Sequence, residues 1–354
     1  MSDIAALARP EILELRPYRA AHCEEGLVRL NANETPWRPP GDDSVDGLNL
    51  YPEARPLTLT RCLAEFYGVT PEQVLVTRGS SEAIDLLVRC FCRPGLDGVI
   101  ICPPTFGMYE VYAQLQGAGI MRVPLDSEHG FELDVDAVVA AWTGRTKLVF
   151  VCSPNNPTGN RVPTGRIRDL AGRVSGRGIV VVDAAYTEFA DTDPTRELLD
   201  ACDNVVILRT LSKALGLAGI RCGTALASPA IVDMIGCILP PYCYPTPSQD
   251  AAIAGLAPEN RVEFRRRVDM LRSERARVSS RFAALPCVEK VWPSEANFLL
   301  VRVDDPAAAT ERARQAGFLL RNFSWDQYTP KCLRITIGTP EQNDALLEAL
   351  ADQG

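Results

Sequence analysis

The sequence predicts an α/β fold in two parts: a large domain with a mostly parallel sheet between helices, then a smaller α+β domain. Three observations lead there. Between residues 74 and 227, short unbroken runs of valine, isoleucine and leucine alternate with helical stretches. Strands that are apolar throughout are buried on both faces, which is the habit of parallel sheets. The chain has 354 residues, beyond the roughly 250–300 at which one hydrophobic core stops growing. After about residue 246 the pattern changes to a long charged helix followed by short strands.

Taken in order, residues 1–30 read as a helix and an extended arm that packs with the smaller domain. Residues 31–246 form the large domain and 247–354 the small one. Leu30 to Pro36 turns, and the prolines at 36, 39 and 40 forbid regular structure before Gly47. A helix over Leu57 to Tyr67 stops at Gly68. Strands follow at Val74–Thr77, Gly98–Cys102, Ile120–Pro124, Lys147–Cys152, Ile179–Asp183, Val205–Leu208 and Thr224–Ala227. The intervening helices run over Ser80–Cys92, Phe106–Leu115, Asp134–Trp142 and Pro163–Ser175. In the last part, Arg261–Ala284 is a charged helix. Strands near Glu289–Trp292, Asn297–Val303, Phe318–Phe323 and Cys332–Ile337 and two further helices, Pro306–Ala316 and one from Pro340, complete the chain.

Composition excludes several classes of function. The formal net charge is -8, without a basic run, so a nucleic-acid backbone is a poor partner. No apolar stretch approaches the roughly 20 residues of a membrane span, and Met1 to Arg16 lacks the core of a signal peptide. A cytoplasmic protein is expected. The 12 cysteines are scattered without a Cys-x-x-Cys, and several sit in apolar runs as buried reduced thiols do. The two histidines, His22 and His129, have no ligand pattern beside them, so no metal is expected and a Ser-His-Asp hydrolase is improbable.

The strongest chemical signal is Leu208 to Arg221. A strand exits into Thr210, Ser212 and Lys213, with glycines at 216 and 219 and an arginine at 221. A lysine between hydroxyls and an arginine suits an amine that holds an aldehyde beside a phosphate, the two needs of pyridoxal phosphate (PLP). Asp183 ends a strand after four apolar residues, where an acid is costly unless paired. A pyridinium nitrogen is one such partner; a helix cap or internal hydrogen bond is the other reading. Tyr186 follows within reach. Ser153 to Gly159 turns after the strand ending at Cys152, either as an ordinary turn or as one that aims the Asn156 amide at the phenolic oxygen of the cofactor. Gly79-Ser80-Ser81-Glu82 opens a helix and reads as an anion site or as a plain N-cap with Glu82 completing a capping box, two compatible readings. Phe106 stacks on a ring or packs in the core. Arg334, within the apolar strand Cys332–Ile337, needs an anion, from inside the protein or from a substrate; Arg321 poses the same question.

These motifs, with Pro17-Tyr18, Leu30 to Pro36, Tyr51-Pro52, Pro104 to Tyr109, Asn297-Phe298 and Leu333 to Thr336, resemble the fold-type I PLP-dependent aminotransferases over nearly the whole chain, and among them the histidinol-phosphate aminotransferases. The resemblance implies a seven-stranded, mostly parallel sheet in the large domain. It implies Lys213 as the catalytic lysine and Asp183 on the pyridinium nitrogen. Asn156 and Tyr186 would meet the ring oxygen, and Phe106 the ring face. Ser80, Ser81, Thr210, Ser212 and Arg221 would surround the phosphate. It implies a homodimer in which Tyr51 reaches the partner's phosphate. Tyr18, Asn33 and Arg321 would line the substrate end, with Arg334 on the substrate carboxylate. The implied reaction is L-histidinol phosphate plus 2-oxoglutarate giving imidazole acetol phosphate plus glutamate. An aromatic amino-acid aminotransferase and a threonine-phosphate decarboxylase are the rivals on the same scaffold. The chain departs from the family at Ala184, where an acid is common, at Phe106, where tyrosine is common, and over Asn322 to Lys331.

Overall fold

The computed structural model describes residues 4–16, 18–21 and 26–351; the Pro17 of one motif and His22 lie outside them. A seven-stranded sheet is formed by β1 (Val74–Arg78), β2 (Gly98–Ile101), β3 (Gly119–Arg122), β4 (Thr146–Cys152), β5 (Ile179–Asp183), β6 (Val205–Thr210) and β7 (Cys222–Ala227). Its order is β1-β7-β6-β5-β4-β2-β3, and only β7 runs against its neighbours. A second sheet, wholly antiparallel, is made of β8 (Val288–Val291), β9 (Phe298–Val303), β10 (Arg321–Asn322) and β11 (Cys332–Thr336) in the order β10-β11-β9-β8.

The central strands show why unbroken apolar runs predict this sheet. On β4 to β6, Val149, Val151, Val180, Val182, Val205 and Ile207 face one buried cluster. Their neighbours Leu148, Phe150, Ile179, Val181, Val206 and Leu208 face the other. Successive side chains point to opposite faces, and helices cover both. Each such side chain contributes about 1.5–3 kcal/mol of transfer free energy on burial.

The described helices are α1 (Pro10–Leu13), α2 (Leu57–Tyr67), α3 (Ser80–Phe91), α4 (Met108–Gln116), α5 (Val135–Ala141), α6 (Thr164–Arg173), α7 (Thr195–Ala201), α8 (Pro229–Ile238), α9 (Thr246–Leu256), α10 (Pro258–Ala283), α11 (Pro306–Gln315) and α12 (Pro340–Ala351). Three of them, α7, α8 and α9, escape the sequence reading. In α8 the run Pro-Ala-Ile-Val-Asp-Met-Ile-Gly-Cys-Ile has little polar punctuation, and Ile231, Val232 and Ile235 are buried. The strand expected over Phe318–Phe323 shrinks to the two residues of β10.

The start of the chain lies elsewhere than expected. Ile4, Leu7 and Ala8 join the cluster of α3 and α8 on the large sheet, and the Arg9 amide donates to the Cys90 carbonyl at 3.1 Å. This stretch therefore packs on the large sheet's helices rather than on the small antiparallel sheet. Residues 27–51 form no helix or strand, yet Leu27, Val28, Leu30, Trp37, Val45, Leu48 and Tyr51 are all exposed.

Candidate active site

Strand direction gathers the chemistry at one sheet edge. Strands β2, β4, β5 and β6 are parallel, so the residues after their C-terminal ends emerge together. Strand β1 runs with them because it is antiparallel to β7. The reversed β7 begins at the same edge, which is why Arg221 precedes a strand while the other motifs follow one. Ligands of open α/β sheets lie at this edge.

A cavity of about 200 Å³ opens there, lined by Ser80, Ser81, Phe106, Cys152, Asn156, Asp183, Ala185, Tyr186, Thr210, Ser212, Lys213 and Arg221. That is below the roughly 300–1,000 Å³ of drug-sized sites and suits one small ring compound. Of the residues expected around a cofactor, only Tyr51 is missing from the lining.

One end of the cavity is acidic and buried. Asp183 is 3% exposed; Tyr109 Oη donates to its Oδ2 at 2.7 Å, and the Ala185 amide to its Oδ1 at 3.2 Å. Burial pushes the Asp183 carboxyl up, while these two donors hold it down. The other end is rich in donors. Helix α3 starts after Gly79, which has no side chain to cap it, leaving the first-turn N–H groups for an anion. Glu82 forms no capping box there: it accepts from the Arg78 amide at 2.7 Å and from Arg78 Nε at 2.8 Å. Thr210 Oγ1 lies 2.9 Å from Ser212 Oγ, and Arg221 Nη1 donates to Ser212 Oγ at 3.4 Å. Close backbone approach makes this end compact. A Cβ on Gly79 would meet Arg221 Nη2 at 2.6 Å, and one on Gly223 would meet Ser80 N at 2.4 Å.

Lys213 stands between the two ends, its Nζ 5.8 Å from the centre of the Tyr186 ring. Burial, then the charges of Arg334 and Arg221, pull its pKa below the ordinary lysine value; Asp183 opposes them. Tyr186 sits edge-on to Phe298 at 5.1 Å, and burial pushes its hydroxyl up. Arg334 Nη1 donates to Asn156 Oδ1 at 2.5 Å, and its guanidinium lies over Phe298 and Phe323. Burial lowers its pKa, a lesser push coming from Arg321, its partner across β10 and β11.

Five expected residues are absent from the cavity lining: Arg334 meets it through Asn156, the exposed Arg321 lies beside Arg334, and the other three stand apart. Tyr51 and Asn33 line a separate pocket of about 470 Å³ with Tyr242, and Tyr18 is 68% exposed. Two lining residues, Cys152 and Ala185, and the donor Tyr109 were not singled out from sequence. The signal for Tyr109 was present in Pro104 to Tyr109, but its partner lies 74 residues away.

The charges fit PLP. Among the described residues, Asp183 is buried without a cation in an ion pair, and Arg221 has no acid. A pyridinium nitrogen at one end and a phosphate at the other would complete both, with Lys213 between them for the aldehyde.

This fold and cavity define a fold-type I PLP-dependent transferase. The chain belongs to the family of class I and II aminotransferases, whose model matches residues 33–350. The histidinol-phosphate aminotransferase of Stenotrophomonas maltophilia (strain R551-3) is 42% identical over 355 residues, 99% of this chain and 97% of that protein. Two solved structures share the fold. Histidinol-phosphate aminotransferase from Sinorhizobium meliloti, in complex with pyridoxal-5'-phosphate, has a TM-score of 0.75 at 23% identity, covering 86% of this chain and 82% of that one. L-threonine-O-3-phosphate decarboxylase from Porphyromonas gingivalis has a TM-score of 0.73 at 23% identity, covering 86% and 90%.

Proposed function

We propose that the protein transfers the amino group of L-histidinol phosphate to 2-oxoglutarate, giving imidazole acetol phosphate and L-glutamate, as a step of histidine synthesis. The 42% identity over the full length supports the substrate. The structural observation that carries it is Arg334: a half-buried guanidinium bonded to Asn156 of the cavity lining which, among the described residues, has no carboxylate partner. With Arg321 opposite, it offers two cations to substrates that bring a phosphate or a second carboxylate.

In this reading PLP, when bound, supplies the electron sink that makes the proton on the amine-bearing carbon removable. Lys213, as a neutral amine, would take that proton and deliver it to the cofactor's aldehyde carbon, on the far side of the shared nitrogen. Asp183 balances the pyridinium charge, Asn156 and Tyr186 orient the ring, and Phe106 covers its face. Ser80, Ser81, Thr210, Ser212 and Arg221 bind the phosphate.

The enzyme acts as a homodimer in the cytoplasm. Supporting the dimer, Tyr51 is 52% exposed outside the cavity of its own chain, amid the exposed apolar residues of 27–51. Such a patch marks an interface, and from it Tyr51 and Asn33 reach the neighbouring subunit's site. No described helix is long and apolar enough to cross a membrane.

The test is glutamate formation from 2-oxoglutarate with L-histidinol phosphate, phenylalanine or L-threonine O-3-phosphate as the partner. The expected kcat/KM for histidinol phosphate exceeds that for phenylalanine by about 100-fold or more, the order expected when a site built for a charged group is left unfilled. Equal or better use of phenylalanine, or carbon dioxide release from threonine phosphate without a keto acid, would replace this reading with one of its rivals.

A further inference from the structure

The motif Leu30 to Pro36 contains an acid that the site does not use. Glu34 lies in a segment without helix or strand, yet its side chain is only 3% exposed and pairs with Arg29 at 2.6 Å. The same oxygen, Oε1, accepts from the Tyr51 amide at 2.6 Å, and Arg29 Nη1 donates to the Tyr51 carbonyl at 3.1 Å. One ion pair thus satisfies both backbone polar groups of Tyr51, which has no strand neighbour to do so. The Tyr51 ring rests on Tyr242, centres 5.0 Å apart, and the Tyr242 hydroxyl accepts from the Ala21 amide at 2.9 Å.

We infer that the Arg29–Glu34 ion pair is a clamp that fixes the Tyr51 backbone, so that Glu34 is a positioning residue for the phosphate end of the neighbouring subunit's site. The inference rests on the proposed dimer and on Tyr51 reaching that phosphate. Its physical basis is local. A phenol presented from irregular chain must be held before it meets its partner, because ordering it on binding consumes binding energy. A charge-assisted pair of which one member is almost wholly buried holds a backbone more firmly than neutral hydrogen bonds. Among the described residues the other oxygen of Glu34, Oε2, is buried without a partner, so the acid depends on Arg29 for its charge balance.

The experiment measures PLP retention by the dimeric holoenzyme in equilibrium dialysis, with sedimentation to follow assembly. Glu34→Ala is expected to weaken retention about 10-fold, Tyr51→Phe by a similar factor, and the double variant by about 10-fold rather than 100-fold, since residues acting as a unit are not additive. Glu34→Gln keeps an oxygen for the Tyr51 amide but loses the charge, and should recover only a minor part of the loss; full recovery would mean that the ion pair is not the clamp. Arg29→Met, which removes the cation and the donor to the Tyr51 carbonyl, repeats the measurement should Glu34→Ala not fold. Additive losses, or full retention in both Glu34→Ala and Arg29→Met while Tyr51→Phe loses cofactor, overturn the clamp. So does dissociation of Glu34→Ala to monomers, which would make the pair an interface element. Full retention in Tyr51→Phe removes the role proposed for Tyr51, and the clamp's purpose with it.

Discussion

Tyr109 donates its hydroxyl hydrogen to Asp183, Oη to Oδ2 at 2.7 Å, with both residues buried. The Tyr109 ring is fixed by stacking on Phe150, centres 4.7 Å apart and planes 7° from parallel. Burial alone favours the neutral acid at Asp183; the Tyr109 hydrogen bond opposes this and favours the carboxylate that a pyridinium nitrogen needs. Tyr109→Phe keeps the ring and removes the donor, so the Asp183 pKa rises. Activity that needs the carboxylate increases as pH climbs through that pKa. The acid limb of the kcat profile should therefore move to higher pH, with kcat lowered about 10- to 100-fold, as for lost supporting hydrogen bonds at other sites. A variant with lower stability but an unmoved acid limb would make Tyr109 a packing residue only.

Lys213 acts on a proton only as the neutral amine. Burial lowers its pKa first, and Arg334 and Arg221 lower it further, so more of the amine is neutral at a given pH than on an exposed lysine. Arg334→Gln removes one of those charges and should raise the Lys213 pKa. In cofactor-free protein, the pH profile for labelling Lys213 with an amine-directed reagent then shifts to higher pH. Lys213→Ala should cost turnover about 10²- to 10⁴-fold or more, the range attached to a lost general base. Retained activity would remove Lys213 from the reaction.

Much of this site was legible because most of its motifs sit where an apolar strand stops. The strand ends at Cys152, Asp183 and Thr210 were visible as abrupt changes from β-branched residues to polar ones, and parallel strands bring such ends together. Arg334 was legible for a different reason, as a charge inside an apolar strand. Tyr109 was not, because an aromatic residue on an amphipathic helix reads as core until its hydroxyl finds a partner distant in sequence. Tyr51 and Asn33 carry no periodicity; prolines and turns describe their segment but do not say what it faces. The helix α8 was hidden by its composition: only one face, Ile231, Val232, Ile235 and Gly236, is buried, but a nearly unbroken apolar run has no polar face to reveal a period of 3.6.

Arg209 ties the strand that leads to Lys213 to the chain after Tyr186. Its side chain is 3% exposed; it bonds Glu188 Oε1 at 2.8 Å, Asp193 Oδ2 at 2.7 Å and Thr195 Oγ1 at 2.7 Å. The Glu188 side chain is 8% exposed and that of Asp193 48% exposed, so Glu188 suffers most if the guanidinium is lost. Arg209→Met should destabilise the fold by about 3–5 kcal/mol, the cost of leaving a buried charge unpaired, seen as a lower thermal midpoint. Adding Glu188→Gln removes the stranded charge and should recover part of the loss. No recovery would mean that Arg209 acts chiefly by packing on Tyr67, 4.7 Å below its guanidinium.

Gly223 tests whether the first turn of α3 is the phosphate site. It lies in β7, and a Cβ there would come within 2.4 Å of both the Gly79 carbonyl carbon and the Ser80 nitrogen. Those are backbone atoms, so no rotamer relieves the contact; the strand or the helix start must move. Strand β7 is held on both sides, by β1 and β6, so the helix start is the part expected to move. Gly223→Ala should therefore displace Ser80 and Ser81 outward and open the donor cluster around Arg221. Cofactor retention is expected to fall about 10- to 100-fold, equivalent to roughly 1.4–2.8 kcal/mol, while inorganic phosphate should lose its ability to compete with the cofactor for the cofactor-free protein. Phosphate competition that persists unchanged in Gly223→Ala would place the anion away from the α3 terminus and leave Arg221 and Ser212 to hold it alone.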